Sequence, residues 1–219
     1  MNLLEVQLLT ANLLQTKKFY HEILGMKILH ADDSSIKFSA GLSTLIFKKT
    51  ASDNPFYHFA FTIPSNKFDE AHAWTKQKVP LLPITPESTI ANFTNWNAKA
   101  FYFYDNNQNI IEFIARFDLD NNSDKPFEGS SIFSISEIGI VTDNAKAYSE
   151  KMIEEYGINF FSKQPPQDDF AAIGDDHGLF IMVNDKRNWY PTDKPSGKFW
   201  TAIKFEQQGK IADLEMIGE

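Results

Sequence analysis

The sequence predicts an α+β protein built from repeated βαβββ modules, in which a strand and a helix are followed by three strands. Three observations support this fold: strand-like apolar segments precede amphipathic helical segments, glycine ends predicted helices, and the same order recurs along the chain. Two modules are predicted to be complete, and a third to be degenerate with one extra C-terminal strand. A repeated unit of this size buries its core by pairing with a neighbouring unit.

The first predicted module begins with a strand over residues 5–10. An amphipathic helix follows over residues 14–24 and ends at Gly25, a residue that commonly terminates helices. Aspartate and glycine interrupt the segment that follows, and these turn-forming residues divide it into three short predicted strands: 27–30, 35–39 and 43–48.

The second predicted module begins with the apolar strand 57–63. In the helix that follows, Phe68, Ala71 and Trp74 recur at helical spacing. A turn at residues 105–108 joins the last two of three further predicted strands: 81–84, 98–104 and 109–114.

Residues 117–131, rich in Asn, Ser, Asp, Pro and Gly, form a predicted linker. It separates residues 1–116, where the two complete modules are expected to pair around a cleft, from residues 132–219. This last part contains the predicted strands and helix of the third module: 137–141, 144–156, 170–173 and 179–183. One more strand, over residues 199–205, is expected to join a neighbouring sheet of this chain or of a partner, which makes a homodimer plausible.

The composition of the chain excludes several classes of function. The chain has 219 residues, a formal charge of −8 and no cluster of lysines and arginines, which argues against a nucleic-acid partner. It contains no cysteine, which excludes disulfides, zinc–thiolate sites and a thiol nucleophile. No apolar run approaches the length of a membrane span, and the N-terminus does not resemble a signal peptide. We therefore expect a cytoplasmic protein.

Glu5, His58 and Glu112 each lie within a predicted strand, and alternation places each of them opposite the more apolar face of its strand. Glu5 shares a face with Gln7, His58 shares one with Ala60, and Glu112 lies between isoleucines. Donors from separate strands can converge on one divalent metal ion. No chemistry is expected of the other histidines. His21 and His72 lie in predicted helices, His30 at the end of a predicted strand, and His177 in a tight turn.

Several short segments resemble motifs of the vicinal oxygen chelate superfamily. Phe19-Tyr20 followed by Ile23-Leu24-Gly25 resembles its "FY…vLG" motif, and the segment from Asp105 to Phe113 is similar to "DPDGNxIEL". The strand at 57–63 resembles the opening of a second module. The resemblance is strongest over residues 3–116. It implies glyoxalase/bleomycin resistance/dioxygenase-like βαβββ modules and does not select one reaction.

In that family, metal ligands come from the first and last strands of each module. The resemblance therefore implies Glu5 and His58 at first-strand positions and Glu112 at a last-strand position. Ile46 stands where a fourth ligand is found in glyoxalase I, and Glu5 stands where a ring-cleaving dioxygenase has a histidine. The third module offers Glu137 and Met182 at the corresponding positions, and a second metal site is not expected there because methionine does not suit a hard cation.

These observations predict a metal site of Glu5, His58 and Glu112 that binds Zn, Ni, Mn, Co or Fe(II). The leading hypothesis is a metal-dependent glyoxalase-type lyase or isomerase, in which Glu112 or Glu5 abstracts a proton from a small oxygenated substrate chelated by the metal. Two alternatives remain: an extradiol-type ring-cleaving dioxygenase and a metal-free small-molecule (drug) binding protein of the bleomycin-resistance type.

Overall fold

The protein consists of two β-sheets packed against each other and three short α-helices, in a computed structural model that describes residues 1–51 and 54–218. The first sheet contains the strands at both ends of the chain: β1 (Asn2–Thr10), β2 (Ile28–Ala31), β3 (Ser35–Ala40), β4 (Ser43–Lys49), β12 (Thr201–Gln207) and β13 (Lys210–Met216). The second sheet contains the central strands: β5 (His58–Thr62), β6 (Ala91–Phe93), β7 (Ala98–Tyr104), β8 (Ile110–Arg116), β9 (Ser134–Thr142), β10 (Phe170–Asp175) and β11 (Gly178–Asn184).

The helices occupy the positions that the modular pattern predicts, each after the first strand of a module. Helix α1 (Leu13–Lys17) continues into a π-helical segment (Lys18–Ile23), α2 spans Phe68–Lys76 and α3 spans Ala145–Tyr156. The predicted α+β class with βαβββ modules is confirmed, and in the third module two strands follow the helix. None of the helices in the described residues is long and apolar enough to cross a membrane.

The pairing of modules differs from the expectation that the cleft forms within residues 1–116. The sheet orders are β13-β12-β1-β4-β3-β2 and β10-β11-β9-β5-β8-β7-β6. The second module therefore joins the third through antiparallel pairing of β5 with β9, whereas the first module lies in the other sheet. Hydrophobic alternation identifies the buried face of a strand but not the strand that pairs with its edge, so the sequence did not reveal this arrangement. The boundaries proposed at residues 116 and 132 remain a prediction.

The C-terminal region adds two strands, and not the single strand that the sequence predicted. β12 pairs with β1, and β13 then pairs with β12 as the edge of the first sheet. β13 was missed because most of its residues are exposed and its apolar alternation is weak. The predicted extra strand is thus accommodated within this chain, and the homodimer inferred from it remains a prediction.

The segment 117–131 is tied to the second module. The Asn121 side chain accepts a hydrogen bond from the backbone of Ser65 at 3.0 Å and donates one to the carbonyl of Ile63 at 3.2 Å. Further along, the backbone of buried Phe127 donates to Glu70 at 2.7 Å. These contacts hold the segment against the start of α2 and the region that follows β5.

Alternation along the strands separates a main core from the face that carries the candidate site. Phe59, Phe61 and Phe113 are fully buried in the main core with residues of the first sheet, whereas Ala60 and Ile110 belong to a second cluster on the opposite face. Burying each of these phenylalanine side chains contributes roughly 1.5–3 kcal/mol to stability. The predicted division of faces in β5 and β8 therefore matches the structure.

Two of the segments that carry the family motifs meet inside the fold. The Tyr20 hydroxyl donates a 2.6 Å hydrogen bond to Asp105, a buried carboxylate that also accepts from the backbone of Asn107 and Asn109. The Tyr20 ring packs against Phe38 in the first sheet. These motif residues therefore connect the first module to the turn between β7 and β8, which is a structural role.

Candidate metal centre

Three neighbouring strands of the second sheet place the site residues on one face. On β5, His58 and Ala60 point to the same side because alternate residues of a strand share a face. Ala60 pairs in register with Glu112 of β8 on one side and with Glu137 of β9 on the other. The two carboxylates therefore flank a residue with only a methyl side chain, and His58 lies two residues away on the same strand.

These three side chains could hold a cation between them. His58, Glu112 and Glu137 each offer one ligand atom, and these atoms all lie within 4.8 Å of one another. The Nε2 atom of His58 lies 3.6 Å from Oε2 of Glu112. The other ring nitrogen, Nδ1, lies 3.1 Å from the carbonyl oxygen of Ile110 and donates to it, which leaves the Nε2 lone pair directed at the group.

Burial makes the charges of this group costly. It lowers the pKa of His58 to about 4, so the imidazole is neutral at physiological pH and able to bind a metal ion. Burial, together with the charge of Glu137, raises the pKa of Glu112 well above its usual range, and burial also raises the pKa of Glu137. Both carboxylates are thus short of compensating positive charge, which a divalent cation would supply.

Arg116 supplies part of that compensation. Its guanidinium is fully buried and donates through Nη2 to Oε1 of Glu137. The same cation holds the pKa of Glu112 and Glu137 down against the effect of burial. Because Arg116 engages Oε1, it also fixes the orientation of the Glu137 carboxylate relative to the other donors.

Behind Arg116, a chain of ion pairs leads to the surface. Its Nη1 atom lies 3.4 Å from Asp176, which in turn pairs with Lys163 at 2.6 Å, and Lys163 also contacts Asp118 at 2.8 Å. The Arg116 guanidinium lies over the Trp96 ring at 5.3 Å. Cation–π contact and ion pairing together offset the cost of burying this guanidinium.

The donor group opens into a cavity of about 260 Å³. Its aromatic wall consists of Tyr102 within β7 and of residues from loops and strand ends: Phe93, Trp96, Phe170, Trp189 and Tyr190. Tyr102 pairs across strands with Glu112, and the Trp189 ring lies 5.2 Å from the His58 ring. A cavity of this size suits a ligand with a single ring or a short chain, since drug-sized ligands occupy pockets of roughly 300–1,000 Å³.

Close approach of Trp189 to the sheet depends on a glycine. Gly139 lies on β9, and a Cβ atom there would be 2.5 Å from Cη2 of Trp189. Trp189 itself is buried, in the segment after β11. Trp96 and Tyr190 also belong to the cavity wall, although neither lies in a predicted strand or helix.

Of the predicted ligands, His58 and Glu112 are brought together and Glu5 is not. Glu5 lies on β1 of the first sheet, where its neighbours across the strands are Thr44 and Lys204. Among the described residues, the group of candidate ligands includes Glu137 in its place. The assignment of Glu5 as a metal ligand and catalytic carboxylate therefore has no support in this arrangement, because β1 and β5 belong to different sheets.

Glu137 was visible in the sequence at a first-strand position, but no role was assigned to it. The sequence led us to expect no metal site in the third module. The register of Glu137 opposite Ala60 could not be read from the sequence, because it arises from pairing between modules. Met182 is buried in the main core, on the face away from the donors, where an apolar side chain that does not suit a hard cation is expected.

The donor set fits a divalent transition metal. One imidazole and two carboxylates suit Zn, Mn, Co, Ni or Fe(II), and three protein ligands leave further coordination positions for substrate or water. The burial of two acidic groups beside a neutral histidine is an independent sign of the same fit.

Comparison with known proteins identifies the fold. Neither the models of known protein families nor the sequences of curated proteins match this chain. A solved structure of a proposed dioxygenase from Bacillus subtilis subsp. subtilis strain 168 is similar over 98% of this chain and 84% of its own, with 11% identity and a TM-score of 0.63.

Shorter proteins match about half of the chain. A glyoxalase/bleomycin resistance protein/dioxygenase from Alicyclobacillus acidocaldarius matches 53% of this chain and 92% of its own, with 20% identity and a TM-score of 0.43. The fosfomycin resistance protein FosX from Listeria monocytogenes, complexed with Mn(II) and sulfate, matches 51% of this chain and 86% of its own, with 20% identity and a TM-score of 0.40. The full-length likeness establishes the fold alone, and it is the fold that the sequence motifs indicated.

Proposed function

We propose that this protein, which has the fold of the glyoxalase and dioxygenase proteins, is a metal-dependent lyase or isomerase acting on a small oxygenated substrate. The observation that carries the proposal is the convergence of His58, Glu112 and Glu137 around Ala60 at the base of an aromatic cavity. A divalent cation held there would act as a Lewis acid toward a substrate chelated through two neighbouring oxygen atoms.

Glu112 is the candidate general base in this proposal. Its side chain lines the cavity beside His58, where a proton of a chelated substrate would lie, and general-base catalysis typically contributes about 10²–10⁴-fold. The Tyr102 phenol lies beside Glu112 and opposes the rise in its pKa. Trp189 and Tyr102 exclude water from the side of His58, so the polar groups act in a less solvated environment.

A ring-cleaving dioxygenase is the enzymatic alternative. Non-haem Fe(II) oxygenases bind iron through two histidines and one carboxylate, whereas this group has one histidine and two carboxylates. The donor chemistry therefore favours the lyase or isomerase. Oxygen uptake by the Fe(II)-loaded protein with catechols would reverse this preference.

A metal-free binding protein is the alternative from another class. The observation that favours it is the ion pair between Arg116 and Glu137, which already compensates one of the carboxylates. Aromatic walls around the cavity would serve such a protein equally well. This alternative predicts that the protein binds no metal ion with useful affinity.

Metal content of matched variants tests the proposal. We expect about one divalent ion per chain in the wild type and in Glu5→Gln, and little metal in His58→Ala and Glu137→Gln, because a three-ligand site loses most of its affinity with one ligand. Elemental analysis after growth with Mn, Fe, Co, Ni and Zn would measure this, and circular dichroism would confirm that the variants are folded.

Loss of metal from Glu5→Gln with retention in Glu137→Gln would contradict the site. Catalysis can then be sought with the metal-loaded protein by following deuterium exchange into small α-hydroxycarbonyl compounds. We expect exchange in the wild type and loss in Glu112→Gln. A protein that holds no metal when supplied with all five would leave the binding-protein alternative in place.

A further inference from the structure

The cavity contains a second charged feature, and strand register separates it from the donor group. The guanidinium of Arg187 lies over Phe170, which pairs with Val183 of β11, whereas Glu137 pairs with Leu179, four residues earlier on β11. Arg187 lies in the segment after β11 and is the only lysine or arginine among the described residues that line the cavity. The donor group of His58, Glu112 and Glu137 lines the same cavity and carries the opposite charge. A ligand that fills the space would therefore meet a metal-binding end and a cationic end.

The guanidinium of Arg187 is held in place with one edge available. Its Nε atom donates to Asp169 at 3.1 Å and Nη1 donates to the carbonyl of Asn188 at 3.4 Å. Within the described part of the chain, the Nη2 atom of Arg187 donates no hydrogen bond. The Arg187 side chain is 29% exposed, and its guanidinium lies over the Phe170 ring at 5.0 Å. Two fixed contacts and a stacked ring reduce the entropy that an Arg187–anion contact would cost.

Asp169 does not cancel the charge of Arg187. The Asp169 side chain is 52% exposed, and an ion pair to an exposed carboxylate is weak in water. The Nη2 edge can bind a second acceptor at the same time, because a guanidinium has five N–H donors arranged as a fork. Nearby, the amide of exposed Gln167 lines the cavity and can add another donor.

Other cations near the cavity are already engaged by protein groups. Arg116 pairs with Glu137, and Lys163 pairs with Asp118 and Asp176. Lys194 donates to the carbonyl of Gln108 and lies 3.7 Å from the centre of the Phe56 ring. Neither lysine lines the cavity, and neither does Arg116.

The space between the two ends suits a flat apolar body. Trp96, Tyr102, Phe170 and Trp189 line it, and aromatic rings favour planar ligands through stacked or edge-to-face contacts. A dry cavity of about 150 Å³ holds benzene, so the 260 Å³ here accommodates one ring with polar substituents at its ends.

We infer that Arg187 binds a carboxylate of the substrate, so that the substrate class is a small planar oxygen chelator with an anionic group at the end remote from its chelating oxygens. The chelating end rests on the proposed function. The anionic end rests on Arg187 alone and can be tested separately.

Two ligands that differ in their negative charge test the role of Arg187. The probes are 3,4-dihydroxybenzoate and its methyl ester, which share the ring and the two neighbouring oxygens and differ in the carboxylate. Binding is measured by calorimetry at pH 7.5 with zinc-loaded protein, since zinc has no redox chemistry. The same titrations are repeated on chelator-treated protein, because the contact with Arg187 does not require the metal.

We expect the wild type to bind the acid about tenfold more tightly than the ester, in keeping with a charge-assisted hydrogen bond at a partly exposed site. Arg187→Gln should abolish this preference. Lys186→Gln, which removes an equal charge from the neighbouring residue outside the cavity, should retain it.

Three results would overturn the assignment of Arg187. The first is equal binding of acid and ester by the wild type, and the second is no binding of the acid by either the zinc-loaded or the chelator-treated protein. The third is loss of the preference in Lys186→Gln. Failure of the proposed function looks different. In that case the protein loads no zinc, while the preference of the chelator-treated protein for the acid still supports the anionic end.

Discussion

The two sheets share a local strand arrangement, and only one of them builds a donor group. In the first sheet, β1 lies between its parallel partner β4 and the antiparallel strand β12. In the second sheet, β5 lies between its parallel partner β8 and the antiparallel strand β9. Strand topology around the central strand is therefore the same in both, and the difference in chemistry must come from side chains and covering segments.

The side chains on and beside the central strand differ between the two sheets in charge and in size. Across the second sheet, the small residue Ala60 separates Glu112 from Glu137. Across the first sheet, Glu5 itself is central, with Lys204 and Thr44 beside it. All three of these residues are partly exposed, whereas the second sheet buries both of its carboxylates. Only the second sheet therefore combines two buried acids around a small residue with an aromatic cavity above them.

The largest expected effect tests the charge compensation that only the second sheet needs. Arg116→Met should lower the free energy of unfolding by roughly 3–5 kcal/mol, because the buried Glu137 carboxyl must then either keep its charge without its closest cationic partner or take up a proton. Urea denaturation of the metal-free protein at pH 7.5 measures it. Lys204→Met, opposite Glu5 in the first sheet, should change stability by no more than about 0.5 kcal/mol. Similar losses in both variants would remove the contrast between the sheets.

A pH dependence specific to His58 should be nearly as large. Its folded-state pKa is lowered to about 4, so between pH 6.5 and 4 the unfolded chain takes up a proton at this residue that the folded chain does not. The free energy of unfolding of metal-free protein should therefore fall as the pH drops through this window, by about 3 kcal/mol more than in His58→Gln. Urea denaturation at several pH values measures both. Parallel pH profiles for the two proteins would show that His58 titrates normally.

Filling the gap between the carboxylates should weaken metal binding without removing a donor. Ala60→Val adds two methyl groups between Glu112 and Glu137, and we expect zinc affinity to fall about 10–100-fold, the range seen when residues that support metal ligands are changed. Competition with a chromogenic chelator measures the affinity. Ala202→Val, in the first sheet opposite Gln7, is the matched control and should bind zinc as the wild type does.

The smallest expected effect concerns the wall of the site. Gly139→Ala places a methyl group 2.5 Å from the Trp189 ring, so the ring must shift, at a cost of about 1–2 kcal/mol in stability. Tryptophan emission and urea denaturation report the change. In the double variant Gly139→Ala/Trp189→Phe, the smaller ring should relieve part of the cost. Strictly additive losses would mean that the two residues do not interact.

Much of the fold could be predicted from local sequence. Alternation identified the buried faces of β5 and β8, and short motifs indicated the fold family. The motif residues Tyr20 and Asp105 form a hydrogen bond that connects the first module to the second. The strand β13 escaped prediction, since an exposed edge strand has little hydrophobic signal.

Two of the three candidate ligands could also be predicted. His58 and Glu112 come from strands of one module, which pair directly in the sheet, so their proximity follows from the module pattern. The third could not be chosen, because Glu5 and Glu137 occupy equivalent positions in their modules. The pairing of β5 with β9 decides in favour of Glu137.

The sequence by itself determined the repeated α+β units, the faces of their strands and the donors that one unit contributes. Only the tertiary structure decided which units share a sheet, and with that the identity of the third donor, the role of Arg116 and the aromatic cover from the Trp189 segment. The physical reason is that hydrophobic periodicity records burial within each strand, whereas the edge-to-edge pairing of modules depends on contacts between residues far apart in the chain.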